Sequence, residues 1–203
     1  MNPPKREEIM DAVRQVGDFL QPYLKQMLDV VDHDPSLIGL YCPLGYTKCG
    51  KLDEILKEYS DTNVFVGIPY SNYPYEESIK EVIDKAGLSP KLAKDKIKTQ
   101  TLLCKVCKTI RICPYAIIDY GDANLNVVYE LGLLHSLGKV VAILKPTTIP
   151  SDLQGLEYLD HNGSTESLKL ELGKWLRDNV SSVNGEQLEE YLKELTIQKH
   201  GLQ

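Results

Sequence analysis

The sequence contains no stretch rich in lysine and arginine of the kind that proteins binding extended DNA or RNA normally carry. Its basic residues are scattered among acidic ones, and the formal net charge at pH 7 is −6. These features argue against a long nucleic acid as the partner. A small phosphorylated ligand is still compatible with this composition, because such a ligand needs only a local site.

Long apolar runs are also absent. No segment stays apolar over the ~18 residues that a membrane-spanning helix requires. The first residues, MNPPKREEIMDAV, carry charge but lack the apolar centre of a secretory signal. We therefore expect a cytoplasmic protein that has no membrane partner and keeps its five cysteines mostly reduced.

Internal repeats and low-complexity tracts are missing as well. The 203 residues, of which 42% are hydrophobic and 26% charged, suit one globular domain with a modest extension. A chain of this size and composition can bury a full core without disulfides.

Short apolar segments alternate with amphipathic helical segments from residue 63 onward. The periodicity predicts strong strands at 63–68, 115–119 and 140–144, weaker strands at 88–94 and 156–159, and helices at 76–86, 97–110, 124–137 and 164–179. Strands that alternate with helices of this length are typical of βαβ units and a parallel sheet. We therefore predict a three-layer α/β fold of the flavodoxin-like or Rossmann-like type.

The same pattern divides the chain into three parts. Residues 1–60 are predicted to form a helical, cysteine-bearing N-terminal extension, residues 61–182 the α/β domain, and residues 183–203 a C-terminal helical tail. Ligands of such sheets bind beyond the carboxyl ends of the strands, where the strand order reverses.

Polar residues at one of these strand ends are the strongest candidates for a site. Asp119 ends the strand at 115–119, and Asn124 and Asn126 open the following helix, where short polar side chains cap free N–H groups. Glu130 follows an apolar pair in that helix. Burying its carboxylate costs free energy unless the group is paired with another residue or serves a function. Gly132 is predicted to let another element approach the helix closely.

The helix motif resembles that of a known family. It reads Asn-Val-Val-Tyr-Glu-Leu-Gly-Leu over residues 126–133, follows a strand that ends in Asp119, and precedes Leu-Gly-Lys at 137–139. This pattern resembles the nucleoside 2-deoxyribosyltransferase-like and TIR-like nucleotide-binding domains over residues 62–180. The resemblance implies a nucleoside, nucleotide or NAD-like ligand, a homo-oligomer, and chemistry at an N-glycosidic bond that requires no cofactor.

The resemblance also implies roles for individual residues. Glu130 matches the glutamate that attacks the anomeric carbon in the transferases and supports nicotinamide release in TIR-type NAD hydrolases. Asp119 would orient the sugar hydroxyls or protonate the leaving base. Tyr70 and Ser71, in the loop after the first strand, would bind the substrate together with Asn124 and Asn126. Tyr70 stands in a tyrosine cluster that also suits ordinary loop packing.

One departure from the transferases keeps other functions open. The loop at 120–126 lacks their acidic, glycine-rich character, and the motif is closer to the TIR-like branch. A second hypothesis is therefore a non-catalytic nucleotide sensor that signals through assembly. A third is a structural partner protein that zinc stabilises.

The cysteines allow three interpretations. Cys42 and Cys49 together with Cys104 and Cys107 supply the four ligands of a structural zinc site if the N-terminal segment folds back. Cys104, Cys107 and Cys113 are an alternative set for an iron–sulfur cluster. The third interpretation is that the cysteines are small buried apolar residues.

Overall fold

The computed structural model describes residues 52–69, 73–92, 102–119, 121, 124–144, 149 and 151–201. The described helices are α1 (Leu52–Glu58), α2 (Glu76–Lys85), α3 (Leu102–Arg111), α4 (Leu125–Ser136), α5 (Thr165–Asn179) and α6 (Gly185–Gly201). The described strands are β1 (Asn63–Gly67), β2 (Ser89–Lys91), β3 (Tyr115–Ile118) and β4 (Val140–Ile143). A short 3-10 helix covers Ser151–Leu153. The predicted N-terminal extension lies outside the described residues up to residue 51.

The four described strands form one parallel sheet in the order β2-β1-β3-β4. Gly67 at the end of β1 pairs with Ile118 at the end of β3, and Ile118 pairs with Ile143 of β4. The strands β1, β3 and β4 therefore end level with one another at one edge of the sheet, and β2 ends two residues earlier, where Lys91 pairs with Phe65. This arrangement confirms the predicted parallel α/β fold.

Helices cover both faces of the sheet, as the continuous burial of β1 and β3 requires. Side chains alternate between the faces along each strand. Val64, Val66 and Ile117 belong to a large apolar cluster that includes residues of α2, α5 and α6. Phe65 and Ile118 point the other way. On that side α3 packs against α4, and α4 contacts β3 and β4.

Local sequence signals mark three of the described helix ends. Gly87 and Gly138 take positive φ angles of 73° and 62° directly after α2 and α4, a conformation that glycine adopts without steric cost. Ser164 caps α5 by accepting a hydrogen bond from the Ser167 N–H. The limits of these helices are thus set locally, by residues visible in the sequence.

The predicted strand at 156–159 is wrong. Only Leu159 makes a β-bridge, to Leu144, and the residues before it are not in a strand. The Tyr158 hydroxyl donates to the Leu153 carbonyl at 2.7 Å, which folds the segment back toward the 3-10 helix. The segment meets the sheet at Leu159, whose N–H donates to the Ile143 carbonyl at 2.8 Å.

The predicted C-terminal helix is present as α6, and it is built into the core. Leu188, Tyr191, Leu192 and Leu195 are all buried in the large apolar cluster. The domain limits at residues 60 and 182 stay predictions. No helix within the described ranges is long and apolar enough to cross a membrane.

Candidate functional site

The strand order reverses between β1 and β3, and this reversal locates the candidate site. From β1 the chain moves through α2 to β2 on one side, then passes through α3 to β3 on the other side. In sheets of this type the ligand crevice forms at the carboxyl edge of the sheet, between the two strands where the order reverses. Gly67 and Asp119 stand at its base, where the Asp119 N–H donates to the Gly67 carbonyl at 2.9 Å.

Glu130 lies beside this crevice on the inward face of α4. Its side chain is buried, and no hydrogen bond or ion pair joins it to another residue of the described part of the chain. Burial raises the pKa of its carboxyl from 4.5 to about 7. A carboxyl in this state exchanges its proton near neutral pH, which suits an acid, a base or a nucleophile.

Gly67 makes room for that carboxylate. A Cβ built on Gly67 would lie 2.7 Å from Glu130 Oε2 and 2.5 Å from Ile118 Cδ1. Glu130 therefore rests directly over the last residue of β1, in space that any other residue would fill. Sequence reasoning missed this role of Gly67, although a glycine that ends an apolar strand is a signal for close approach.

Asp119 is held at the same edge by two donors. The Gly121 N–H donates to Oδ1 at 2.7 Å, and the Tyr73 hydroxyl donates to Oδ2. Burial, followed by the Asp119 charge, raises the pKa of Tyr73 far above its usual value, so the phenol keeps its proton. Both Asp119 oxygens thus accept hydrogen bonds, and the carboxylate is fixed in position.

Aromatic residues extend from Asp119 toward α5. The Tyr73 ring meets Tyr75 edge-on at 5.8 Å between centroids, and Tyr75 meets His161 in the same way at 4.9 Å. The Tyr75 hydroxyl also donates to the Gly163 carbonyl at 3.0 Å. These contacts tie the loop after β1 to the start of α5. Tyr73, which sequence reasoning did not single out, reaches Asp119 with its hydroxyl.

Asn124 and Asn126 have different roles at the start of α4. The Asn124 side chain accepts from the N–H groups of Asn126 and Val127 at 3.1 and 3.4 Å, so Asn124 is the N-cap. The prediction that Asn126 caps the helix is wrong, because its side chain is exposed and lies too far along the helix. A role of either residue in substrate binding stays a prediction.

The two asparagines provide a matched pair of variants. We expect Asn124→Ala to lower the free energy of unfolding by about 1 kcal/mol, because two helix N–H groups lose their acceptor. Asn126→Ala should change it by less than about 0.5 kcal/mol, since alanine favours the helix and no described partner is lost. Urea unfolding of both variants measures the difference. Equal losses would show that the cap is elsewhere.

The remaining predicted residues lie partly within and partly outside the part of the chain that the structure describes. Tyr70, Ser71, Cys42 and Cys49 lie outside the described residues, so the zinc site stays a prediction. A methyl group added at Gly132 would meet nothing within 4 Å, and the predicted close approach of another element is therefore wrong within the described chain. His135 is exposed on α4.

The three described cysteines do not assemble into a metal site. Cys104 and Cys107 lie on α3, and the Arg111 Nε–H donates to the buried Cys107 Sγ at 3.3 Å. Cys113 is fully buried beyond the helix, and burial raises the pKa of its thiol to about 12. Among the residues that the structure describes, no three metal-binding side chains come together. The iron–sulfur interpretation is therefore wrong.

Comparison with known proteins adds little to this geometry. No protein-family model and no curated protein matches the chain. Among solved structures, the chain is similar to a 2-desoxiribosyltransferase from Leishmania mexicana, with a TM-score of 0.37 and 18% identity. That similarity covers 48% of this chain and 82% of the other.

Proposed function

We propose that this chain binds a nucleoside, a nucleotide or an NAD-like molecule at the β1/β3 crevice and acts on its N-glycosidic bond. The observation that carries the proposal is Glu130, a buried carboxylate without a described partner at the point where the strand order reverses. Burying such a group is costly, and proteins retain it mainly where it is used. The sequence motif at 126–133 supports the same ligand class.

Cleavage of an N-glycosidic bond develops positive charge on the sugar ring, and a fixed anion stabilises it. In the proposed step, an ionised Glu130 oxygen forms a bond to the anomeric carbon. The carbon–nitrogen bond breaks at the same centre, and the base leaves with the electron pair. A purine or pyrimidine then takes a proton from water, whereas the cationic nicotinamide of NAD leaves as a neutral molecule. A water or a second base then displaces Glu130, which gives hydrolysis or transfer respectively.

Asp119 has the complementary role of orienting the sugar. Its two oxygens already accept hydrogen bonds from Tyr73 and Gly121, and their remaining lone pairs can accept from sugar hydroxyls. A proton on either Asp119 oxygen would weaken the bond that this oxygen accepts, because a protonated oxygen is a poorer acceptor. The arrangement therefore favours orientation over the alternative role as the acid.

A binding experiment tests the ligand class separately from the chemistry. Nucleosides, nucleoside monophosphates and NAD are each titrated into the protein, and the melting temperature and calorimetric affinity are recorded. We expect at least one compound to bind, and Asp119→Asn to weaken it about ten-fold or more, because a bond to a charged acceptor is lost. Asp84→Asn, an exposed position on α2, is the control and should bind normally. Absence of any binding would contradict the proposal.

A further inference from the structure

The two cysteines of α3 lie on one face of that helix. Cys104 and Cys107 are three residues apart, a spacing that places one side chain above the other on a helix. Helix geometry puts their Cα atoms about 5 Å apart. Disulfides join residues whose Cα atoms are roughly 4.4–6.8 Å apart. Both residues are present as thiols, and their backbone positions are thus compatible with a disulfide between them.

The two thiols differ in their access to solvent. Cys104 is half-buried, whereas Cys107 is only 7% exposed. A small disulfide in solution can therefore reach Cys104 more easily than Cys107. Thiol–disulfide exchange by a dithiol requires this asymmetry, because an accessible thiol reacts first and an enclosed neighbour then completes the reaction.

Arg111 gives Cys107 a cationic neighbour. Its Nε–H donates to the Cys107 Sγ at 3.3 Å from one turn further along α3, and both side chains are buried. The guanidinium remains charged at any pH at which proteins work. A cation beside a sulfur stabilises the thiolate, which is the form that attacks a disulfide. A cysteine that served only as a small apolar core residue would not require a charged donor.

Cys113 differs from this pair in every one of these respects. It is completely buried, and burial raises the pKa of its thiol to about 12. Such a thiol keeps its proton at neutral pH and is a poor nucleophile. Among the described cysteines, the conditions for exchange are therefore met on α3 alone.

A disulfide between Cys104 and Cys107 would be easy to reduce. Side chains three residues apart on a helix have Cβ atoms about 5–6 Å apart, whereas a disulfide brings the Cβ atoms to roughly 3.5–4.5 Å. The helix must therefore tighten locally by about 1–2 Å, and such strain makes the bond more reducible. Cys104 lies in the first turn of α3, which begins at Leu102, where backbone N–H groups have no partner within the helix. The adjustment thus breaks few helix hydrogen bonds.

We propose that Cys104 and Cys107 form a redox-active dithiol that exchanges with small-molecule disulfides. The Cys104 thiolate attacks one sulfur of the incoming disulfide, forms a mixed disulfide and expels the other half as a thiolate. The Cys107 thiolate then attacks the Cys104 sulfur, and the second half leaves as a thiolate. The protein dithiol is oxidised, the incoming disulfide is reduced to two thiols, and the two protein thiol protons end on those products.

Peptide mapping of the full chain after oxidation tests the proposal. The reduced protein is incubated with an excess of oxidised glutathione, alkylated and analysed by mass spectrometry. We expect a disulfide between Cys104 and Cys107 that dithiothreitol reverses. Cys113→Ala is the control and should oxidise like the wild type, and circular dichroism checks that each variant is folded.

Two further variants separate the steps of the exchange. Cys107→Ser should stop at a mixed disulfide of Cys104 with glutathione, because the second thiol is missing. Arg111→Gln should still form that mixed disulfide but resolve it more slowly, by about ten-fold or more, because the Cys107 thiolate loses its cation. A purely structural role of Arg111 would leave the rate of resolution unchanged.

Several results would overturn the proposal. One is a wild type that forms no disulfide with an excess of oxidised glutathione, and another is a disulfide that joins Cys104 or Cys107 to a different cysteine. A third is bound zinc that protects both sulfurs from oxidation, since the predicted zinc site uses the same two residues. The inference does not use the β1/β3 crevice, so failure of one proposal leaves the other standing.

Discussion

Replacing Glu130 by glutamine will make the protein more stable at pH 8 and abolish its turnover. Burial raises the pKa of Glu130 to about 7 in the folded chain, against 4.5 in the unfolded chain. The folded protein therefore retains a proton that the unfolded protein releases between these values. Wild-type stability must fall as the pH rises from 4.5 through 7, because the folded state is left with a buried charge.

The glutamine side chain does not ionise, so the variant should not lose stability as the pH rises through this range. Below pH 4.5 both proteins carry a neutral side chain and should be equally stable. Above pH 7 the variant should be more stable, by on the order of 2–3 kcal/mol. Urea unfolding at several pH values from about 4 to 8.5 measures the gap. Glu190→Gln, on α6 and away from the crevice, is the control and should follow the wild type.

Activity should change in the opposite direction. Without a carboxylate at position 130 there is no nucleophile for the anomeric carbon, and turnover should drop by a factor of roughly 10³ or more. Stability gained together with activity lost is the behaviour of a group retained for function. The free energy of unfolding of wild type and of Glu130→Gln could instead show the same pH dependence. Water would then reach the carboxylate in the folded protein, and the proposal would lose its basis.

Gly67→Ala will damage both the fold and the site. The new methyl group would lie 2.5 Å from Ile118 Cδ1, 2.7 Å from Glu130 Oε2 and 3.0 Å from Phe65 Cε1. The Ile118 and Glu130 atoms are the ends of flexible side chains and must shift within a packed core, so we expect a loss of about 1–3 kcal/mol in the free energy of unfolding. Glu130 must also shift from the strand end, which should cost about 100-fold in turnover.

Gly132→Ala is the matched control for this substitution. Both changes add one methyl group to a glycine, but Gly132 lies on an exposed helix face with open space around it. There alanine should stabilise the protein by about 0.5–1 kcal/mol. Stability and turnover unchanged in Gly67→Ala would mean that Glu130 does not occupy the space above β1.

The sequence predicts the fold because its signals are local and repeated. Short apolar strands alternate with amphipathic helices, and Gly87, Gly138 and Ser164 mark helix ends through their own backbone or side-chain preferences. Glu130 and Asp119 could be selected for a similar reason. Glu130 is a charged residue within an apolar helix, and Asp119 is a charged residue at the end of a buried strand. Both are unusual among their sequence neighbours, and this can be recognised without a structure.

The sequence could not predict which distant segments contact each other. Nothing near residue 67 shows that a glutamate 63 positions later rests on it, and the hydrogen bond from Tyr73 to Asp119 joins two loops of the same edge. The error at 156–159 has the same origin. Its apolar pattern fits a strand, but Leu159 alone bridges to the sheet, and the Tyr158 hydroxyl bonds back to the Leu153 carbonyl.

Chromatography for free base tests the central claim most directly. The purified full chain is incubated with nucleosides, nucleoside monophosphates and NAD, beside Glu130→Gln and the control Glu190→Gln. We predict that wild type and Glu190→Gln release base from at least one compound and that Glu130→Gln releases none above background. Release that persists in Glu130→Gln, or a wild type that binds a compound and never releases its base, would contradict the assignment of Glu130 to N-glycosidic chemistry.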